Sequence, residues 1–202
     1  PTFLDKVKDR PRFEERKRAE AVYMRSQYDL ALCTYEDAQT WDRGSENYKK
    51  LLTGASKQFE AIHTRYRSQV LGLYARMWQG KSFEEQDDIN KAMGIYNELL
   101  GHPGTSTTMR RIQDKVLLFK LICLNHVAKK DYQLVIAESG AWLRKRRPTQ
   151  RRLPDALGVL WEQVRARELL AEQRATGKAN RDELLTQALT SCRFIQRWPG
   201  KY

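Results

Sequence analysis

The sequence predicts an all-α protein, and three observations support this class. Ala, Leu, Glu, Lys, Arg and Gln are abundant, whereas the chain holds only 11 glycines and 6 prolines, and this composition favours helices. Apolar residues recur three and four residues apart, which places them on one face of a helix. No segment alternates apolar and polar residues as a strand does. With 202 residues, 41% of them hydrophobic, the chain can bury a real core.

The first predicted helix follows Pro11 and extends from residue 12 to residue 41 without Pro or Gly. A proline suits the first turn because its missing N–H would have no partner there. One face of this helix carries rings and small residues, which let a neighbouring helix approach closely: Ala21, Met24, Tyr28, Ala31, Tyr35 and Ala38. Two interpretations stay open, either one long helix or two shorter ones with a turn near residues 25–27.

The second predicted helix covers residues 46–79, after a break at residues 42–45 where Ser45 can cap its N-terminus. Its apolar stripe has Gln69 as its polar member, and its other members are Tyr48, Leu52, Ala55, Phe59, Ile62, Tyr66 and Leu73. Together the two segments predict an antiparallel hairpin at residues 12–80, with arms about 45 Å long at 1.5 Å per residue.

Five shorter helices are predicted after a polar joint at residues 80–88. They begin near residues 89, 109, 132, 154 and 181, and they are separated by turns rich in Gly, Pro or charge. Thr108 is a candidate cap for the second of them. Several large side chains fall on their apolar stripes and are expected to be buried, among them Tyr96, Phe119, Val127, Trp142, Trp161 and Leu185.

Four segments resemble the second helix of the tetratricopeptide repeat family. The best match is YMRSQYDLALCTYEDA, followed by AKKDYQLVIAESGAWLRKRRP and INKAMGIYNELLGHP, and DELLTQALTSCRFIQRWP keeps only the Ala and the Pro. Their aligned positions, 28, 89, 132 and 185, lie 61, 43 and 53 residues apart, whereas the family repeats about every 34 residues. The resemblance implies stacked antiparallel helical hairpins in an irregular superhelix over residues 12–200. An unrelated helical bundle is the alternative.

This interpretation makes residues 1–202 one α-helical repeat domain, with N-terminal hairpins at residues 12–80 and repeat-like pairs at residues 81–202. The chain has no initiator Met, which indicates a piece of a longer protein. No apolar stretch approaches the roughly 20 residues of a membrane span. The cytoplasm is favoured as the compartment, export stays an alternative, and the number of subunits stays open.

Chemistry-bearing motifs are missing from the sequence. It has no phosphate-binding glycine loop, no H-E-x-x-H, no C-x-x-C and no nucleophile elbow. Its three cysteines, Cys33, Cys123 and Cys192, are far apart and odd in number, so we expect buried thiols rather than disulfides or a metal site. The acidic residues at positions 84–88 are interpreted as a solvated turn. We therefore expect a protein that is no enzyme and that uses no cofactor or metal.

The resemblance implies a non-catalytic scaffold that binds a peptide or protein partner on a curved helical surface. In the family, the groove is lined by the first helix of each pair. For the third pair this gives Lys120 and Asn125 as contacts, one a cation and the other an amide that both donates and accepts hydrogen bonds.

The densest charged segment supports an alternative function, the binding of nucleic acid or another polyanion. Six of the nine residues at positions 144–152 are basic: Arg144, Lys145, Arg146, Arg147, Arg151 and Arg152. Such a cluster neutralises phosphates and releases their counterions. The net charge of +12 strengthens any such attraction at long range.

Overall fold

The computed structural model describes residues 10–104, 106–173 and 177–198, and within them the chain forms eight α-helices, one 3₁₀ turn and no strand. The prediction of an all-α fold is confirmed. The helices are α1 (Arg10–Ala38), α2 (Glu46–Arg65), α3 (Val70–Glu85), α4 (Ile89–Leu100), α5 (Thr107–Asn125), α6 (Tyr132–Arg144), α7 (Pro154–Ala171) and α8 (Lys178–Gln196). They divide between two compact units, unit 1 (residues 1–88) and unit 2 (residues 89–202).

Helix α1 is a single helix, so the chain does not turn near residues 25–27. Its predicted apolar stripe is the buried face from Tyr28 onward, where Tyr28, Ala31, Tyr35 and Ala38 are at most 7% exposed. By contrast, every side chain from residue 12 to residue 23 is exposed. The N-terminal half of α1 therefore has no buried face.

The long helix predicted over residues 46–79 is wrong, because α2 ends at Arg65 and α3 begins at Val70. The chain turns between them without using Pro or Gly. Gly72, just beyond the turn, makes it possible: a β-carbon there would lie 2.1 Å from the carbonyl oxygen of Tyr66. Unit 1 is therefore built from three helices and not from a two-helix hairpin.

The core of unit 1 contains the aromatic stripes of α1 and α2, as the sequence predicts. The rings of Tyr28 and Phe59 lie 6.0 Å apart between centroids, and those of Tyr35 and Trp78 lie 5.0 Å apart. Leu52 and Ala55 on α2 are fully buried beside them. Ser45 caps α2 as predicted, because its hydroxyl accepts a hydrogen bond from the Tyr48 N–H.

The last turn of α3 carries a largely buried ionic cluster where a polar joint was expected. The ammonium of Lys81 pairs with Glu84 and lies 2.9 Å from Oε1 of Glu85. The hydroxyl of Tyr48 donates a hydrogen bond of 2.8 Å to Oε2 of Glu85. The interpretation of residues 84–88 as a solvated acidic turn is therefore wrong for Glu84 and Glu85, which belong to the helix.

In unit 2 each helix packs on the next one along the chain, from α4 to α8, and α5 also packs on α7. Asp114 on α5 pairs with Arg146 just after α6, and Lys120 pairs with Glu138 at 2.7 Å. Helices α5 and α7 run side by side in the same direction, since Leu118 contacts Gly158 and Asn125 contacts Glu162. Leu118 packs so closely on Gly158 that a β-carbon there would lie 2.8 Å from a Leu118 methyl group.

Three large side chains and one cysteine that were expected in the core lie at the surface instead: Val127, Trp161, Leu185 and Cys33. Val127 follows the end of α5, which stops at Asn125, and so leaves the helical stripe. Cys123 is buried as expected, and Cys192 is partly buried. Helix α5 is capped by Ser106, whose hydroxyl accepts from the Met109 N–H, and not by Thr108.

Candidate functional site

The basic segment at residues 144–152 links α6 to α7 and includes a short 3₁₀ turn, Gln150–Arg152. Arg144 ends α6, and Pro154 opens α7. The side chains of Arg144, Lys145 and Arg147 are exposed, and among the described residues their charged groups have no hydrogen bond or ion pair. These three cations are available to a ligand.

Arg146 has a different environment, because the fold brings an acid and a ring to it. Its guanidinium pairs with the carboxylate of Asp114 and lies 4.5 Å from the centre of the Trp142 ring. The Trp142 indole N–H donates a hydrogen bond of 2.9 Å to the same carboxylate. Arg146 therefore holds α5 and the end of α6 together rather than extending into solvent.

The last two arginines of the segment are also held by the fold. Nε of Arg151 donates a hydrogen bond of 3.2 Å to the carbonyl oxygen of Arg146, which keeps the segment folded back on itself. The guanidinium of Arg152 lies 4.1 Å from the centre of the Trp198 ring, a cation–π distance. This contact joins the basic segment to the residues that follow α8.

The antiparallel packing brings further cations to the same end of unit 2. The start of α5, the end of α6, the start of α7 and the end of α8 all lie there, as the contacts of Asp114 with Arg146 and of Arg152 with Trp198 require. We call this surface the basic end, and its cations are Arg110, Arg111, Lys115, Arg144, Lys145, Arg146, Arg147, Arg151, Arg152, Arg193 and Arg197. The carboxylates at this end are Glu98, Asp114 and Asp155. Sequence reasoning missed the contributions of α5 and α8.

The charge of the chain is divided unequally between the two units. Residues 89–202 contain 21 Lys and Arg against 10 Asp and Glu, whereas residues 1–88 contain 16 against 15. Unit 2 therefore carries +11 of the net +12, and unit 1 is nearly neutral. Long-range attraction of an anionic ligand is accordingly a property of unit 2.

Lys120 and Asn125, the two contacts implied by the repeat resemblance, lie inside the packing of unit 2. Lys120 is only 13% exposed and pairs with Glu138 on α6. The amide nitrogen of Asn125 donates hydrogen bonds of 2.9 Å to the carbonyl oxygen and to Oε2 of Glu162 on α7. Both residues connect helices in this structure, and the buried Asn125 has no face to offer a partner.

A second candidate surface is an apolar cleft of about 260 Å³ between α1 and α2 in unit 1. Its lining residues are Gln27, Leu30, Gln58, Ala61, Ile62 and Arg65. Leu30 is 63% exposed beside it, and the buried Oε1 of Gln58 has no hydrogen-bond partner. Arg65 lies over the rings of Tyr23 and Tyr66, at 5.6 and 5.4 Å from their centres.

The remaining titratable groups form no metal site within the described part of the chain, where no three His, Cys, Asp or Glu side chains cluster suitably. His63 is buried, with Nδ1 3.1 Å from the Gly72 carbonyl oxygen. None of the described helices combines the length and the apolar character needed to cross a membrane.

The fold and the candidate surfaces define a class: an all-α protein with a cation-rich end on one of its two units. Comparison of the chain with models of known protein families, with curated proteins and with solved structures found no match.

Proposed function

We propose that unit 2 is a non-catalytic binding module that recognises nucleic acid through the phosphates that contact its basic end. The observation that carries this proposal is the convergence of eleven cations from four helix ends, with three exposed members that have no partner among the described residues. Such a surface neutralises several phosphates at once, and the release of their counterions drives binding.

The choice of basic residue favours phosphate over carboxylate ligands. Nine of the eleven cations at the basic end are arginines, and the planar guanidinium donates paired hydrogen bonds to a phosphate. The ion pair of Arg146 with Asp114 and the contact of Arg152 with Trp198 fix the backbone that presents Arg144, Lys145 and Arg147. Arg144, Lys145 and Arg147 therefore lie on a backbone segment that contacts with Asp114 and Trp198 hold in place.

The test is titration of the full chain into fluorescein-labelled single-stranded RNA, single-stranded DNA and duplex DNA, followed by fluorescence anisotropy. We expect the triple variant R144A/K145A/R147A to bind at least about tenfold more weakly than the wild type, because it loses three phosphate contacts. The matched control is K129A/K178A/R181A, which removes three charges at the opposite end of unit 2 and should bind as the wild type does.

If both triple variants lost the same amount of affinity, binding would depend on the net charge of the chain and not on a site at the basic end. A chain that binds acidic peptides or anionic vesicles but none of the three nucleic acids would overturn the proposal.

A second candidate function is favoured by the cleft of unit 1. We infer that it binds an acidic amphipathic helix of a partner protein, whose apolar side would lie on Leu30 and Ala61. The charges at the cleft support an acidic partner, since Arg65 lines it and the exposed Lys57 lies one helical turn before Ala61 on α2.

Substitution of the cleft separates this function from the first. Leu30→Glu places a carboxylate in the apolar lining of the cleft. This change should abolish the binding of acidic helical peptides and leave nucleic-acid binding unchanged. The control, Val22→Glu, changes another exposed apolar residue of α1 that lies outside the cleft lining. Peptide binding that survives Leu30→Glu would rule the cleft out as the binding surface.

A further inference from the structure

One flank of α8 carries two exposed leucines between an acidic residue and a basic residue. The inner face of α8 packs on α7 through Ala188, which is nearly fully buried, and through Ser191, which contacts Arg167. The flank of α8 beside this inner face holds Asp182, Leu185, Leu189 and Arg193, spaced three, four and four residues apart, so they form one row. All four are exposed, Leu185 by 40% and Leu189 by 52%.

The row therefore consists of two leucines with a carboxylate at one end and a guanidinium at the other. Neither the Asp182 carboxylate nor the Arg193 guanidinium has a hydrogen bond or ion pair among the described residues. Two exposed leucines on consecutive turns leave apolar area in water, which is unfavourable. Within the described part of the chain, the leucines of this row thus lack an apolar partner and its two charges lack a counter-charge.

Helix α7 extends this surface on one side. Glu168 on α7 and Leu185 on α8 line the same shallow cleft, so the two helix faces adjoin. Trp161 precedes Glu168 by two turns and therefore lies on the same face of α7, where its ring is 48% exposed. The apolar surface thus includes an aromatic side chain of the kind that dominates protein interfaces.

We propose that a second copy of this chain covers this surface, with the two α8 helices packed antiparallel around a twofold axis. A twofold interface uses one patch on both copies, so the patch must complement itself. In the antiparallel arrangement Leu185 meets Leu189 of the partner subunit, and Asp182 meets Arg193 of the partner subunit. A parallel arrangement would place like charges together, which is unfavourable. The occupant is therefore a second copy in antiparallel orientation.

The proposal is tested by exchanging the charges at the two ends of the row and measuring mass by sedimentation velocity without nucleic acid. The wild type should be a dimer. Asp182→Arg alone puts two like-charged cations together at both ends of the row, and Arg193→Asp alone does the same with carboxylates. Each variant should dissociate at least about tenfold more readily than the wild type. An equimolar mixture of the two variants restores both opposite-charge contacts and should form a heterodimer.

Glu183→Arg is the matched control, because it makes the same charge change one residue along α8 on a different face. It should leave the dimer intact. Circular dichroism verifies that the exposed substitutions leave the fold unchanged. A monomeric wild type overturns the proposal, and so does a dimer that is insensitive to both charge changes or is not restored in the mixture. Because nucleic acid is absent, none of these results depends on the proposed function.

Discussion

Loss of Lys81 should destabilise unit 1, because its ammonium pairs with two carboxylates that are largely withdrawn from water. Its side chain is 15% exposed, and those of Glu84 and Glu85 are 6% and 17% exposed. Burial alone lowers the pKa of Lys81, but the charges of Glu84 and Glu85 outweigh it and leave this pKa raised. The ammonium therefore stays charged in the folded protein.

Lys81→Met should lower the free energy of unfolding by about 3 kcal/mol, since it removes the ammonium that pairs with two largely buried carboxylates. Urea unfolding followed by circular dichroism measures this change. Lys57→Met at an exposed position of α2 is the control and should alter stability by less than about 0.5 kcal/mol. Equal stability of the two variants would show that the cluster is solvated.

Acid should weaken the same cluster through Glu85. Burial by itself raises the pKa of Glu85, but the charge and hydrogen bond of Lys81, with the hydrogen bond of Tyr48, lower it below the ordinary 4.5. A carboxyl whose folded pKa is lowered stabilises the protein above its unfolded pKa, and this contribution is lost as the pH falls through the folded pKa.

The difference in stability between the wild type and Glu85→Gln should therefore shrink as the pH is lowered from about 7 to about 3. Urea midpoints at several pH values measure it, and Glu60→Gln at an exposed position provides the comparison. A difference that stays constant over this range would mean that the charge of Glu85 does not contribute.

Asn125 has the corresponding role in unit 2. Asn125→Ala removes two hydrogen bonds to Glu162, whose buried carboxylate then keeps, among the described residues, the contacts of Arg165. We expect a loss of about 2 kcal/mol in the free energy of unfolding. The folded fraction should bind nucleic acid as the wild type does.

Asn180→Ala on the exposed start of α8 is the control. If the Asn125→Ala variant kept its stability but bound nucleic acid more weakly, Asn125 would be a contact residue for the ligand.

Among the helices, α1 is the one whose two halves differ most. Residues 28–38 pack on α2 and α3, whereas residues 12–23 have no buried side chain. Isolated helical segments of this length are marginal in water, and unpacked ends open locally.

Hydrogen exchange followed by mass spectrometry should therefore separate the two halves of α1. Backbone amides of residues 14–21 should exchange at least about tenfold faster than those of residues 28–38, because their opening requires no loss of core packing. Peptides from the buried part of α2 provide the internal reference for global unfolding. Uniform protection along α1 would show that a partner or a second copy covers its first half.

The helical stripes could be predicted from the sequence because burial follows apolar spacing, as Tyr28, Phe59 and Tyr96 illustrate. The break after Arg65 could not, since no Pro or Gly occupies the turn and Gly72 acts from beyond it, through its close approach to Tyr66. Gly72, three residues beyond the four-residue turn, was the one local signal, and its role depends on a contact that the sequence does not show.

The candidate site was predictable only in part, for a similar reason. The local run at residues 144–152 is visible in the sequence, but the neutralisation of Arg146 depends on Asp114, which is 32 residues away. The contributions of Arg110 and Arg193 likewise follow from antiparallel packing and not from any local motif. Contacts between residues far apart in sequence therefore decide which cations of residues 144–152 can bind a ligand.

Over the whole molecule, charge separates the roles of the two units. Unit 1 is nearly neutral and carries an apolar cleft, whereas unit 2 carries +11 and gathers its cations at one end. Ligands attracted over long distances therefore approach unit 2. Nucleic-acid binding by unit 2 depends mainly on charge, whereas peptide binding by unit 1 adds apolar contacts in the cleft, so salt should weaken nucleic-acid binding more steeply.

The salt dependence of nucleic-acid binding should report the number of cations in the site. For duplex DNA, each phosphate contact changes the slope of log K against log salt by about 0.9. Loss of Arg144, Lys145 and Arg147 should therefore reduce the steepness of this slope by about 2 to 3, whereas the control variant K129A/K178A/R181A should keep the wild-type slope. Anisotropy titrations from about 50 to about 300 mM salt provide both slopes. Weakened binding with an unchanged slope would mean that these cations stabilise the segment without contacting phosphate.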